Sequence, residues 1–158
     1  MGDRDSGKGK RIVTKRIVLD ASVAVKWFHD EEFTGEALKI RDAADKGRVE
    51  IIVPPIFPYE VINALRKPPN LFDKEQLMSA SESIELRDLL GERADKGDLN
   101  AVLELMFKYA VNPYDASYLL MAKRFKTRVI TADRKLVERL GKEELALFIG
   151  SSELENRI

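Results

Sequence analysis

Four acidic side chains stand where carboxylates can do chemistry: Asp20 closing the apolar run RIVLD, Glu60 in FPYEVINAL, Asp115 in NPYDASYLL and Asp133 in VITADRK. Asp20 and Asp133 each end a segment that reads as a buried strand. Glu60 and Asp115 each follow a Pro-Tyr pair that reads as a first helical turn. In an open parallel α/β sheet, ligands gather beyond the carboxyl ends of the strands. Four carboxylates converging there without basic partners would repel one another and raise one another's pKa values. A hard divalent cation, Mg²⁺ or Mn²⁺, resolves that conflict, because it takes oxygen ligands and leaves positions open for phosphate. Such a centre suits phosphodiester hydrolysis, where it polarises the phosphoryl oxygen, activates water and stabilises the leaving alkoxide.

Each acid also has a simpler use. Asp20 and Asp133 are good helix N-caps, and in NPYD the cap can be Asn112, with Pro113 first and Asp115 third in the helix, where a carboxylate complements the dipole. Glu60 is harder to explain that way. It lies among Ile56, Phe57, Val61, Ile62, Ala64 and Leu65, with no Lys or Arg following until Arg66, and a buried carboxylate needs a partner. Three polar neighbours could support the acids. Ser22 is a ligand-orienting hydroxyl or a turn hydroxyl, Thr131 orients the Asp133 carboxylate or simply favours a strand, and Asn63 touches substrate or Asp115 or is solvated. Trp27, Phe28 and Tyr118 are expected in the core, and His29, beside Asp30-Glu31-Glu32, in solvent. Lys123 to Arg128, with Arg134 and Lys135, offer a phosphate-steering surface or an ordinary solvated face. Stacking aromatics for base readout do not stand out.

The elements that must position these residues follow from periodicity. Strands are expected over RIVLD, VEIIV, TRVIT and LALFI, with helices between them. A helix through Phe33, Ala37, Leu38, Ile40 and Ala44 should close at Gly47. IFPYEVINALRK should be helical up to Pro68-Pro69, and a long helix capped by Asp73 should run to Arg93. Further helices cover DLNAVLELMFKYA, NPYDASYLLMAKRFK and RKLVERLG. Strands alternating with helices imply an α/β domain with a mainly parallel sheet of four or five strands and right-handed crossovers. The expected organisation is a disordered basic arm over 1–15, one domain over 16–150 and a tail over 151–158.

Composition removes several chemistries. There is no cysteine and one histidine, which excludes thiolate zinc sites, thiol nucleophiles and the usual Ser-His-Asp triad. Lys+Arg and Asp+Glu are equal at 27 each, so any nucleic-acid binding must use local patches. With no membrane-length apolar run and no signal-peptide pattern, the reading is a cytoplasmic protein. The high charged fraction with a single Gln resembles thermophile compositions.

The motifs VLDASVAVKWF, PPIFPYEVINAL, YDASYLLMAKR and VITADRKL, in that order, resemble the four motifs of the PIN-domain family, and more narrowly those of VapC-type toxin ribonucleases. The resemblance implies a three-layer α/β/α fold, a metal-dependent endoribonuclease that leaves 5′-phosphate and 3′-hydroxyl ends, a homodimer, an antitoxin partner and an RNA substrate. It places Asp20, Glu60, Asp115 and Asp133 on the family's acidic positions and Ser22 on its hydroxyl position. Pro58, just before Tyr59-Glu60, departs from the pattern but is harmless in a first turn. A haloacid-dehalogenase-like phosphatase would need a second aspartate two residues after Asp20, where Ser22 stands. A receiver domain would need paired acids after its first strand. An RNA-maturation nuclease and a non-catalytic PIN scaffold remain as alternatives.

Overall fold

Three consecutive residues, Ile17, Val18 and Leu19, are each almost wholly buried, which requires a strand covered on both faces. In the computed structural model, which describes residues 14–87, 89–91 and 95–158, that strand is β1 (Lys15–Leu19), at the centre of the sheet. A short α1 (Ala21–Ala24) follows it and continues as a 3₁₀ turn, Val25–Trp27. The chain then forms α2 (Thr34–Asp45), β2 (Val49–Val53), α3 (Phe57–Arg66), α4 (Lys74–Glu85) and β3 (Leu90–Gly91). After these come α5 (Asp98–Tyr109), α6 (Pro113–Arg124), β4 (Val129–Thr131), α7 (Arg134–Leu140), β5 (Ala146–Phe148) and a 3₁₀ turn, Leu154–Asn156.

The strand order is β3-β2-β1-β4-β5, and every pairing is parallel. From β1 the chain winds outward to β3 and then returns to β4 on the other side of β1. Right-handed crossovers that reverse direction in this way put helices on both faces of the sheet, giving the three-layer α/β/α architecture. The reversal falls between β1 and β4, where Val18 pairs with Val129 and Leu19 with Ile130.

Local chemistry sets the element ends. The chain's single glutamine, Gln76, completes a capping box with Asp73 at the start of α4. α2 stops at Asp45, and the turn that follows needs Gly47 at φ +69°. Two expectations change. The long helix from Asp73 ends at Glu85, and Leu90–Gly91 forms a fifth strand beside β2. A short apolar run next to a helix does not reveal its own secondary structure, and pairing with Ile52 and Val53 decides this one. Of the expected N-terminal arm, residues 1–13 lie outside the described residues, and Lys15 already belongs to β1. At the other end, Leu154 is buried in the core.

One cluster ties β5 to the start of α2. The rings of Phe33 and Phe148 meet edge to face at 5.1 Å, and the Arg134 guanidinium lies 3.9 Å from the centroid of Phe148. A Cβ at position 150 would come within 2.6 Å of the Phe33 ring and 2.7 Å of the Phe148 ring. Gly150→Ala should therefore displace this pair and destabilise the protein by about 1–3 kcal/mol. Urea denaturation of variant and wild type measures it, and an unchanged midpoint would show that the rings move at no cost.

Candidate metal centre

The carboxyl ends of β1 and β4 carry the first two acids. Asp20 directly follows β1, and its amide donates to Ile130 O at 3.0 Å, which locks it to the neighbouring strand. Its Oδ2 accepts two hydroxyl hydrogen bonds, from Ser22 Oγ and Thr131 Oγ1, both at 2.7 Å. Those hydroxyls are fixed in turn, since Ser22 Oγ accepts the Ala132 amide at 3.1 Å and Thr131 Oγ1 the Asp133 amide at 3.0 Å. Thr131 thus orients the carboxylate of Asp20, where the sequence pointed to that of Asp133. Asp133 itself caps α7, with Oδ1 accepting from Lys135 N at 2.9 Å and Leu136 N at 3.2 Å.

Glu60 and Asp115 arrive from helix starts. Pro58 and Pro113 fit the first turns of α3 and α6, where an amide has no helical partner. Asn112 caps α6 by accepting the Asp115 amide at 2.8 Å, as its sequence position suggests. Glu60 finds its partner in Tyr118, whose hydroxyl donates to Oε2 at 2.7 Å. Tyr118 is in the core as expected, but its hydroxyl joins α6 to α3. That role was legible in principle, because Tyr118 stands three residues after Asp115, on the same helical face. By contrast, no hydrogen bond among the described residues engages the Asp115 carboxylate.

Burial comes first among the causes that push Asp20, Glu60 and Asp115 upward. It raises Asp20 against the pull of the Thr131 and Ser22 hydroxyls, and it raises Glu60 against the pull of Tyr118. Asp115 is driven up to about 6, by burial and then by the charges of Asp20, Asp133 and Glu60, with Arg139 opposing weakly. Arg139 carries no sequence signal; it is placed by donating Nη1 to Ala110 O at 2.6 Å.

The four acids therefore share one electrostatic neighbourhood. Among the described residues, however, no group of three or more His, Cys, Asp or Glu stands ready to hold a metal ion. One oxygen each of Asp20, Glu60 and Asp133 is committed to a hydroxyl or to helix amides. The second oxygens of Glu60 and Asp133, and both of Asp115, have no hydrogen bond among the described residues. Oxygen donors in mutual repulsion, with no cationic side chain among the described residues hydrogen-bonded to any of them, fit a hard divalent ion in their chemistry.

Asn63 is exposed, and its side chain is bonded neither to Asp115 nor to any other described residue. Two other expectations change. His29 is largely covered, with Nε2 buried and 3.6 Å from Glu31 Oε1. The basic run Lys123 to Arg128 spans the end of α6 and the approach to β4, roughly 15 Å of helix away from Asp115. Two of its arginines are used internally, Arg124 with Asp98 and Arg128 with Glu144 and Glu153. Arg134 and Lys135 of the expected basic surface directly follow one of the four acids, Asp133.

The PIN domain family model matches residues 17–142. No curated protein sequence is a significant match. Among solved structures, PAE2754 from Pyrobaculum aerophilum is 18% identical with a TM-score of 0.57, covering 90% of this chain and 94% of its own. Mycobacterium tuberculosis VapC20, described as a sarcin-ricin loop cleaving toxin, is 9% identical with a TM-score of 0.60, covering 77% and 93%. VapBC2 from Rickettsia felis, bound to a DNA fragment from its promoter, is 13% identical with a TM-score of 0.60, covering 84% and 98%. At these identities the likeness is one of fold.

The raised Asp115 sets a pH dependence. Its folded pKa exceeds the unfolded one, so its carboxyl favours the fold fully below about pH 4, and that contribution is lost as pH rises to about 6. In chelator, Asp115→Asn should thus gain stability over wild type across that window and hold the gain above it, on the order of 1 kcal/mol after allowing for solvent screening at a half-buried site. Denaturation at pH 4, 5, 6 and 7 reads the difference; a gain independent of pH would contradict it.

Proposed function

The chain belongs to the PIN-domain family, and from that premise we propose that it is a divalent-metal-dependent endoribonuclease, the toxin of a toxin-antitoxin pair. The observation that carries this reading is Asp115: a half-buried carboxylate with no hydrogen-bond donor among the described residues, pushed up to about 6 beside three other acids. Such a group calls for positive charge. Asp20, Glu60, Asp115 and Asp133 would hold the ion, and Mg²⁺ or Mn²⁺, when bound, supplies a polarised phosphoryl oxygen and a water of lowered pKa.

The protein's own residues then have distinct tasks. Ser22 and Thr131 fix one oxygen of Asp20, so that carboxylate needs little reordering to bind. Tyr118 does the same for Glu60. Asp133 remains an N-cap through Oδ1 and offers Oδ2, so helix initiation and ligation use different atoms of one side chain. Attack by water in line with the leaving oxygen requires no covalent enzyme intermediate.

An antitoxin partner is supported by similarity in fold to toxin-antitoxin complexes from Klebsiella pneumoniae and Rickettsia felis. A homodimer is proposed with it. Leu99, Leu103 and Phe107 form an exposed apolar stripe at helical spacing along α5, the kind of surface a partner covers. Among the described residues no helix is long and apolar enough to cross a membrane, and a cytoplasmic location is part of the proposal.

Purified protein incubated with structured and unstructured RNAs should cleave them in Mn²⁺ or Mg²⁺, leaving 5′-phosphates, and should stop in chelator. Asp115→Asn should lower the rate by on the order of 100-fold. Cleavage that survives both treatments ends the metal mechanism. For the toxin assignment, expression should arrest growth, and co-expression of a small adjacent reading frame should restore it.

A further inference from the structure

The two acids that come from helix starts are each preceded by a tyrosine, and both tyrosines face solvent. Tyr59 is 73% exposed and Tyr114 is 52% exposed. Tyr118, by comparison, is 1% exposed, so the fold does bury a tyrosine when it needs one. Neither exposed phenol hydroxyl makes a hydrogen bond among the described residues. Leaving two large amphipathic rings in water gives the fold nothing, because burial is where an aromatic contributes.

Their placement is set by the same devices that place the acids. Successive helical residues point about 100° apart, so Glu60 and Asp115 can turn inward, to half-burial, while Tyr59 and Tyr114 turn outward. Pro58 and Pro113 immediately precede the two tyrosines and stiffen the backbone under them. The Tyr118 to Glu60 hydrogen bond joins α3 to α6, and Asp115 lies within the electrostatic reach of Glu60, so the two first turns border one acidic edge.

We propose that Tyr59 and Tyr114 are base-stacking platforms beside the acidic centre that hold the bases flanking the scissile phosphate. The inference rests on the nuclease reading and adds two substrate-holding residues to it. A tyrosine ring offers a broad face at little entropic cost, and bases in single strands are free to stack on it, whereas duplex bases are not. Stacking of this kind tolerates any base. The negative acids would by themselves repel the backbone, so the bases, the metal and Arg139 together must hold the strand.

The test measures affinity for a fluorescent unstructured oligouridylate and for an abasic oligonucleotide of equal length. Binding is followed by anisotropy in Ca²⁺, with the oligonucleotides checked on a gel for integrity. Wild type should prefer the oligouridylate. Tyr59→Ala and Tyr114→Ala should each weaken that binding about tenfold and leave abasic binding unchanged, while Tyr59→Phe and Tyr114→Phe should stay within about twofold of wild type. Equal affinity of wild type for the two oligonucleotides would overturn the proposal, as would alanine variants that bind oligouridylate normally. Alanine variants that bind RNA normally but change oligomeric state on gel filtration assign the tyrosines to a protein interface, which also overturns it. If stacking alone is wrong, metal-dependent cleavage that requires Asp115 persists; if wild type neither binds nor cleaves RNA, the nuclease reading fails with it.

Discussion

The hydrogen bonds from Ser22 and Thr131 to one oxygen of Asp20 tie the structure together at its topological switch. They join the end of β1 to the end of β4, the two strands between which the winding reverses. A carboxylate drawn out of water beside other carboxylates must be held by donors or neutralised by a cation. Here one donor, Thr131, comes from β4 and the other, Ser22, from α1. Thr131, wholly buried, also receives the Asp133 amide, so the second strand-end acid is registered against the first through one hydroxyl. Loss of that hydroxyl would leave Asp20 and the Asp133 amide both short of a partner.

The acids differ in how firmly they are held, and the difference follows from where they come from. Those at strand ends inherit the rigidity of the sheet. Glu60 has one hydrogen bond across two helices, and Asp115 has none among the described residues. The group with the least support is also one that burial and the charges of Asp20, Asp133 and Glu60 all push upward. A site arranged in this way concentrates its unmet electrostatic demand on one side chain, the natural point for a cation to act.

Much of this was readable from the residues. RIVLD and VITAD each end on an acid after an apolar run, and parallel topology turns two such runs into neighbours with their acids at one edge. Asn112-Pro113 marked the start of α6 because capping and fixed φ are local properties. What escaped the sequence was non-local. β3 is two residues long and exists by pairing with β2, so the run around Leu89 passed for more helix. The hydroxyl of Tyr118 was hidden behind a correct expectation that its ring is core. Thr131 was placed on the right side of its strand, but which carboxylate it serves depends on how closely β1 and β4 approach. Lys123 to Arg128 looked like a phosphate surface until the length of α6 set it at the opposite end of that helix from Asp115.

The shortness of β3 and β5 has a bearing on assembly. Two and three residues long, these strands form the two edges of the sheet, so the edge that each of them presents is short. An incoming peptide could add only a fragment of a strand there, too little to supply affinity through backbone pairing. The sheet thus resists unwanted edge-to-edge growth, and it leaves recognition of other molecules to side chains on the helices, whose chemistry can be altered one residue at a time without disturbing the strands beneath.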